Sequence, residues 1–285
     1  MRDLGRLAVW YPMDRLDGGG LRRLVATTEA LGYDALWYPE SRGYESLSLA
    51  GFLLGASTSL KIGSSIASIY ARDAFAARRG LIGLTELHGP RFILGLGVSH
   101  APMVEKLRGQ SYLAPLPAMR GYLEALYKDQ DGADWPVVIA ALGPKMLALA
   151  ARMTRGAIPY NVTPGHTAVA RAALGAGKWL SVEQKVTLET DPARARALGR
   201  AELARYLVLP NYRNAWLGMG FTETDLAEGG SDRFIDAMVL WGDAATVRAG
   251  LAAHRAAGAD QICIQPVHEE GDFAARDRIL AALAP

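Results

Sequence analysis

The sequence predicts an α/β protein, a (β/α)8 TIM barrel with insertions after its fourth and seventh strands. Three observations predict it. Short apolar runs of strand length alternate with helix-length segments, which argues for a parallel sheet. Eight such pairs fit into 285 residues, a length at which an α/β barrel runs as a single domain. No Pro/Ser/Gly-rich linker interrupts the chain, so one domain over 1–285 is expected. An open doubly wound sheet is the alternative.

Leu7 to Tyr11, closed by Pro12, reads as the first strand. Leu21 to Leu31 has helical spacing and stops at Gly32, a good C-terminal signal. Ala35 to Tyr38 is strand two, and Leu47 to Ser57 is a helix apolar nearly all round. Lys61 to Ile69 is strand three, and Asp73 then caps a helix that His88-Gly89-Pro90 breaks. Strand four, from Arg91, ends in Gly95-Leu96-Gly97 and runs into Val98-Ser99-His100. An excursion with Pro102, Pro115 and Pro117 ends in a helix over about 116–128. Val137 to Ala140 is strand five, and Gly143-Pro144 starts a helix with proline at its first position. Gly156 to Pro159 is strand six, followed by a helix from Thr163-Pro164. Val182 to Leu188 is strand seven, and Asp191-Pro192 opens a helix to Leu207. Residues 210–230 form an excursion rich in Asn, Gly and aromatics. Helices are expected at about 232–240 and 244–257, strand eight at Gln261 to Gln265, and a closing helix at Phe273 to Leu283.

Composition narrows the function. Half of the residues are hydrophobic, and 31 Lys and Arg stand against 29 Asp and Glu, a net charge of +2. There is no basic block with interleaved aromatics, so nucleic acid is an unlikely partner. The longest uncharged run, Ser46 to Leu60, is shorter than a spanning helix and dotted with Ser and Thr, so no membrane span is expected. Met1 to Arg6 lacks the apolar core of a signal peptide, which points to a cytoplasmic protein. Cys263, the only cysteine, lies in an apolar run and reads as a structural thiol.

In such a barrel the site lies at the C-terminal ends of the strands. This places Trp10, Glu40, Ser65 to Ser68, Gly97 to His100, Ala141 to Lys145, Pro159-Tyr160, Glu189 and Gln265 around one mouth. Gly95 and Gly97 either expose backbone to a ligand or relieve crowding inside the barrel. A dinucleotide fingerprint is rejected, because His100 stands where the third glycine belongs. His100 is the one histidine at a strand end; His88 sits in a helix-ending turn, and His166, His254 and His268 read as helix or loop surface. It is a candidate acid or base, or a hydrogen-bonding group to a ligand or cap. Glu40 faces a ligand, or caps the following segment or pairs with Arg42. The helix start at Leu142-Gly143-Pro144-Lys145-Met146 offers free N–H groups to a phosphate. Trp10 and Tyr160 line the pocket or simply pack, and residues 211–221 form a lid, a structural lobe or a dimer contact. No metal site is expected, since there is no His-x-His and the strand ends offer few ligands.

Several stretches carry a resemblance. Leu31 to Trp37, Ala71-Arg72-Asp73, Gly89 to His100 and Ala101-Pro102-Met103 resemble the bacterial luciferase-like superfamily. Leu142 to Met146 and Leu209-Pro210-Asn211-Tyr212-Arg213-Asn214 resemble its deazaflavin (F420)-dependent branch, in a subgroup typical of actinobacteria. The resemblance runs over essentially the whole chain. It implies an oxidoreductase that transfers a hydride between C5 of F420 and a small organic substrate. The implied catalytic residues are His100 and Glu40. The implied cofactor contacts are Trp10, Glu40, Ser65, Ile66, Ala67, Ser68, Gly97, Val98, Ser99, Leu142, Gly143, Pro144, Lys145, Met146 and Tyr160. It also implies a non-prolyl cis peptide at Ser65-Ile66. A homodimer through the apolar helices after strands two and three is the expected assembly. Where the family has members with a catalytic histidine after the acidic residue, this chain has Ser41. The alternatives are an FMN-dependent monooxygenase on the same fold, or a flavin or deazaflavin carrier without chemistry.

Overall fold

The structure, a computed structural model, describes residues 3–129 and 135–285. Its strands are β1 (Leu7–Trp10), β2 (Ala35–Tyr38), β3 (Lys61–Ser64), β4 (Ala67–Ser68), β5 (Phe92–Gly97), β6 (Val137–Ile139), β7 (Gly156–Ala157), β8 (Trp179–Thr187), β9 (Val239–Trp241) and β10 (Gln261–Pro266). Eight parallel staves close into a ring in the order β10-β1-β2-β3-β5-β6-β7-β8, with β4 continuing the β3 stave beside β5. The seam is the β8–β10 pairing, from Gln261 opposite Ser181 to Pro266 opposite Val186. These are the eight strands expected, and the barrel replaces the open-sheet alternative.

Alternation along the staves sorts side chains into two cores, as the period of 2 in a strand dictates. Ala8, Trp10, Ala35, Trp37, Ile93, Val138 and Cys263 fill the barrel interior. Leu7, Val9, Leu36, Tyr38, Ile62 and Phe92 point outward to the helices. Glycine in β3 serves this packing: a Cβ at Gly63 would meet the Trp37 ring at 2.3 Å. Cys263 is buried, as expected of a structural thiol.

The helices are α1 (Gly18–Ala30), α2 (Ser46–Ala56), α3 (Ala74–His88), α4 (Pro115–Leu126), α5 (Pro144–Met153), α6 (Pro164–Leu174), α7 (Pro192–Leu207), α8 (Pro210–Gly218), α9 (Asp232–Met238), α10 (Ala244–Ala256) and α11 (Phe273–Ala282). Asp73 caps α3 by accepting from Ala76 N at 2.8 Å, as its side chain chemistry predicts. No helix among the described residues is long and apolar enough to cross a membrane.

Five points are corrected or refined. The helix expected over 232–240 stops at Met238, and Val239–Trp241 instead pairs with Lys185–Thr187 on β8, on the edge opposite β10. Strand seven begins at Trp179 rather than Val182. The excursion after it is helical over Pro210–Gly218, with Pro210 at a first-turn position, and the segment after β5 holds a π-helical turn at Met103–Leu107. His254, expected on a surface, is wholly buried. Its Nε2 faces Gln184 Oε1 at 2.9 Å and its Nδ1 faces Thr167 Oγ1 at 2.8 Å.

Candidate functional site

All eight staves run the same way, so their C-terminal ends share one mouth. Trp10, the last residue of β1, and Tyr160, just past β7, meet there with ring centroids 5.0 Å apart. Ile66 packs with both against the interior core. The Ser65-Ile66 peptide is cis, as expected. Around it Ser64, Ser65, Ala67 and Ser68 are buried, whereas Ile66 is half-buried. The neighbouring glycines seat this bulge. A Cβ at Gly95 would meet Ser64 O at 1.9 Å, and one at Gly97 would meet Ile66 Cγ1 at 2.4 Å. Relief of crowding is therefore what these two glycines visibly do.

Glu40 follows β2 with its side chain 3% exposed. Its Oε2 accepts from Ser68 N at 2.8 Å and its Oε1 from Ser46 N at 3.2 Å, the first turn of α2. Its ion-pair partner is Arg72, which also reaches Glu45 at 2.7 Å. Glu40 thus caps the start of α2 and is paired with Arg72, where Arg42 was the expected partner. Ser41, Arg42, Tyr44, Leu107 and Arg108 line a cleft beside it.

His100 lies past β5, half-buried, after Ser99, whose φ is +56°. Its backbone carbonyl accepts from Met103 N at 2.9 Å and starts the helical turn there. The α8 insertion reaches over it: Tyr212 stands 5.8 Å from the imidazole ring. Burial holds the imidazole pKa below its ordinary value, and a hydrogen bond with the Asn211 side chain opposes this. Tyr212 continues into an aromatic cluster, 5.2 Å from Tyr206 and 5.7 Å from Trp216. The aromatic excursion thus packs as a lobe against the mouth.

After β6, Leu142 O is held by His166 Nε2 at 2.7 Å. Helix α5 begins at Pro144 with no side-chain cap. Gly143, Pro144 and Lys145 are exposed, and nothing lies within 4 Å of a Cβ built on Gly143. An uncapped helix start of this kind binds anions through its free N–H groups.

The far side of the mouth carries a buried polar network of which sequence reasoning found only Tyr160 and Gln265. Lys185 Nζ, fully buried, donates to Asn161 Oδ1 at 2.6 Å and to Glu183 Oε1 at 3.1 Å. It lies 4.0 Å over the Tyr160 ring. Burial lowers the lysine pKa and raises that of Glu183, and their mutual attraction opposes both. Tyr160 OH donates to Gln265 Oε1 at 2.8 Å and meets Tyr206 OH at 2.8 Å. Gln265 Nε2 donates onward to Glu202 at 2.8 Å. A signal for the pair exists in the sequence, since Glu183 and Lys185 are two apart in a strand and so share a face. Among the described residues no group of three or more His, Cys, Asp or Glu is placed to hold a metal ion.

Comparison with known proteins agrees with this fold. Residues 13–128 match the luciferase-like monooxygenase family. A Mycobacterium tuberculosis protein, named provisionally as a coenzyme F420-dependent oxidoreductase, is 24% identical over 85% of this chain and 89% of its own. An F420-dependent secondary alcohol dehydrogenase, solved with an F420–acetone adduct, superposes with a TM-score of 0.77 at 11% identity, covering 99% of each chain. The FMN-bound oxygenating component of 3,6-diketocamphane monooxygenase from Pseudomonas putida superposes with a TM-score of 0.74 at 13% identity, over 99% of this chain and 97% of that one.

Proposed function

We propose that this chain, whose residues 13–128 match the luciferase-like monooxygenase family, is an F420-dependent oxidoreductase acting on a small organic substrate. The observation that carries the reading is the uncapped, exposed start of α5, which opens on the same barrel end as the half-buried Ile66 and His100. A phosphate-bearing planar cofactor fits that spacing of features. The residues for it are Gly143 and Lys145 at the phosphate, and Ile66, Val98 and Ser99 along the ring. Two cations at this mouth are already engaged, Arg72 with Glu40 and Lys185 with Glu183.

Reduction of a carbonyl needs a hydride at carbon and a proton at oxygen. F420, when bound, supplies the hydride chemistry, as cofactors supply the hard step in such enzymes. The protein's share is the proton. With the Asn211 side chain bonding His100, one ring nitrogen is turned aside and the other holds or takes the proton at the substrate oxygen. Glu40 acts at one remove, by fixing Ser68 and the start of α2 behind the bulge. In protein loaded with F420, His100→Ala lowers turnover with responsive alcohols, or with enones and reduced F420, by about 10²-fold or more. Unchanged turnover removes His100 from the chemistry.

The proposed assembly is a homodimer through α2 and α3. Phe75 and Leu87 on α3 are 62% and 78% exposed, and Ser48 and Gly55 give α2 a small-residue outer face. Light scattering at micromolar concentration should return twice the 30.6 kDa chain mass. A clean monomer refutes this interface.

A further inference from the structure

Among the described residues, four buried side-chain nitrogens have no hydrogen-bond partner: Trp10 Nε1, Asn161 Nδ2, His166 Nδ1 and Arg276 Nη1. Two of them, Trp10 and Asn161, flank Tyr160 at the barrel mouth. Each residue is 3% exposed. Leaving such a donor unpaired is costly, and in a native protein it asks for an explanation.

Asn161 is the more telling of the two, because every other polar group it owns is used. Its N–H donates to Glu183 Oε2 at 3.1 Å, its carbonyl accepts from Trp216 Nε1 at 3.0 Å, and its Oδ1 accepts from Lys185 Nζ at 2.6 Å. An ammonium only donates. The oxygen of the amide must therefore face Lys185, and the NH2 must face away. Lys185 is in turn held by Glu183, so the amide has no route to flip. The backbone at φ +59°, a left-handed conformation that asparagine tolerates, sets the direction of the side chain. The whole arrangement fixes one neutral donor and leaves it without an acceptor.

The position of this donor says which ligand it serves. The proposed cofactor runs from the start of α5 to the bulge before β4, across the ends of β6, β5 and the β3 stave. Asn161 and Trp10 stand after β7 and at the end of β1, on the other half of the ring. We propose that Asn161 Nδ2, seconded by Trp10 Nε1, holds an oxygen of the substrate, and that the substrate is an uncharged carbonyl or hydroxyl compound. This rests on the function proposed above. The charge balance excludes an anionic headgroup: Lys185 is spent on Glu183 and Asn161, and what remains to a ligand is two neutral N–H donors. The rings of Trp10, Tyr160 and Tyr212 supply flat apolar walls, which suit a cyclic or conjugated skeleton. A site built to hydrogen-bond one oxygen also rejects analogues that lack it.

Asn161→Asp tests this, because it keeps the shape and the Lys185 contact and turns the donor into a carboxylate oxygen, which repels a substrate oxygen. The probes are cyclohex-2-en-1-one, cyclohexanol and cyclohex-1-ene-1-carboxylate, added to protein already saturated with F420. Binding is read by calorimetry and KM by oxidation or reduction of F420. The uncharged probes should bind and the carboxylate should not. N161D should weaken the enone at least about tenfold and leave F420 affinity unchanged. Enone binding equal to wild type in N161D overturns the donor. Binding of the carboxylate in preference to the enone, or of no uncharged probe, overturns the substrate class. A purely structural asparagine would instead weaken F420 and enone alike. Should N161D fail to fold, Asn161→Gly, which accepts the same φ but also removes the Lys185 acceptor, is read by enone affinity against F420 affinity alone. The F420 titration comes first: wild-type protein that takes up none overturns the proposed function and this assignment with it. Uptake with an unaffected N161D overturns this assignment alone.

Discussion

The two halves of the barrel mouth are built by different means. On one side, from β3 through β5 to α5, the wall is main chain and apolar surface: a cis bulge, two glycines packed against it, and a bare helix start. Its buried carboxylate, Glu40, accepts from two backbone N–H groups and pairs with Arg72. On the other side, from β7 through β8 to β10, the wall is a side-chain network of Asn161, Glu183, Lys185, Tyr160 and Gln265. The difference teaches where variation is affordable. Backbone contacts suit a ligand common to many relatives, whereas directed side chains suit one chain's own substrate.

The comparison breaks most visibly at Lys185. Replacing it by methionine leaves the Glu183 carboxylate, 1% exposed, with a single backbone donor. Removing one partner of a buried pair costs about 3–5 kcal/mol, read from urea unfolding. Arg72→Met should cost clearly less, because Ser46 N and Ser68 N still hold Glu40. Equal losses would mean that the two halves do not differ in this way.

A smaller effect is expected from pH. His254 sits behind β8, bonded to Gln184, and burial, aided by His166, lowers its pKa from 6.5 to about 4. The unfolded chain therefore takes up a proton at a pH where the folded one does not. Stability is full above pH 6.5 and falls as pH drops toward the folded value, by on the order of 2 kcal/mol between pH 6.5 and 5. Urea midpoints across that range should show the loss, and His254→Gln should flatten it. A wild-type profile as flat as the variant's would contradict this account of the histidine.

Legibility followed the same division. The eight staves were readable because apolar runs such as Ala35–Tyr38 and Phe92–Leu94 are buried on both faces, and the helix starts because Asp73, Pro144 and Pro164 announce them. The backbone-built half of the mouth was readable for that reason, whereas the cis bond at Ser65-Ile66 followed only from the family resemblance. The side-chain half was not. Glu183 and Lys185 carry charges that a strand reading assigns to an outer face, and nothing local says that they meet Asn161, which lies 24 residues from Lys185. His254 was misplaced on the same ground, since its position on α10 is shared by surface and buried residues until Gln184 is brought against it. Val239–Trp241 continues a helical pattern and becomes a strand only because the end of β8 offers it an edge.

F420 is the cofactor proposed for this mouth. Titrating the purified protein separately with F420 and with FMN, followed by cofactor fluorescence, tests it most directly. Saturable binding of F420 at micromolar or lower concentration, with FMN at least about tenfold weaker, is the result the account predicts. Tight binding of FMN with none of F420 would contradict it.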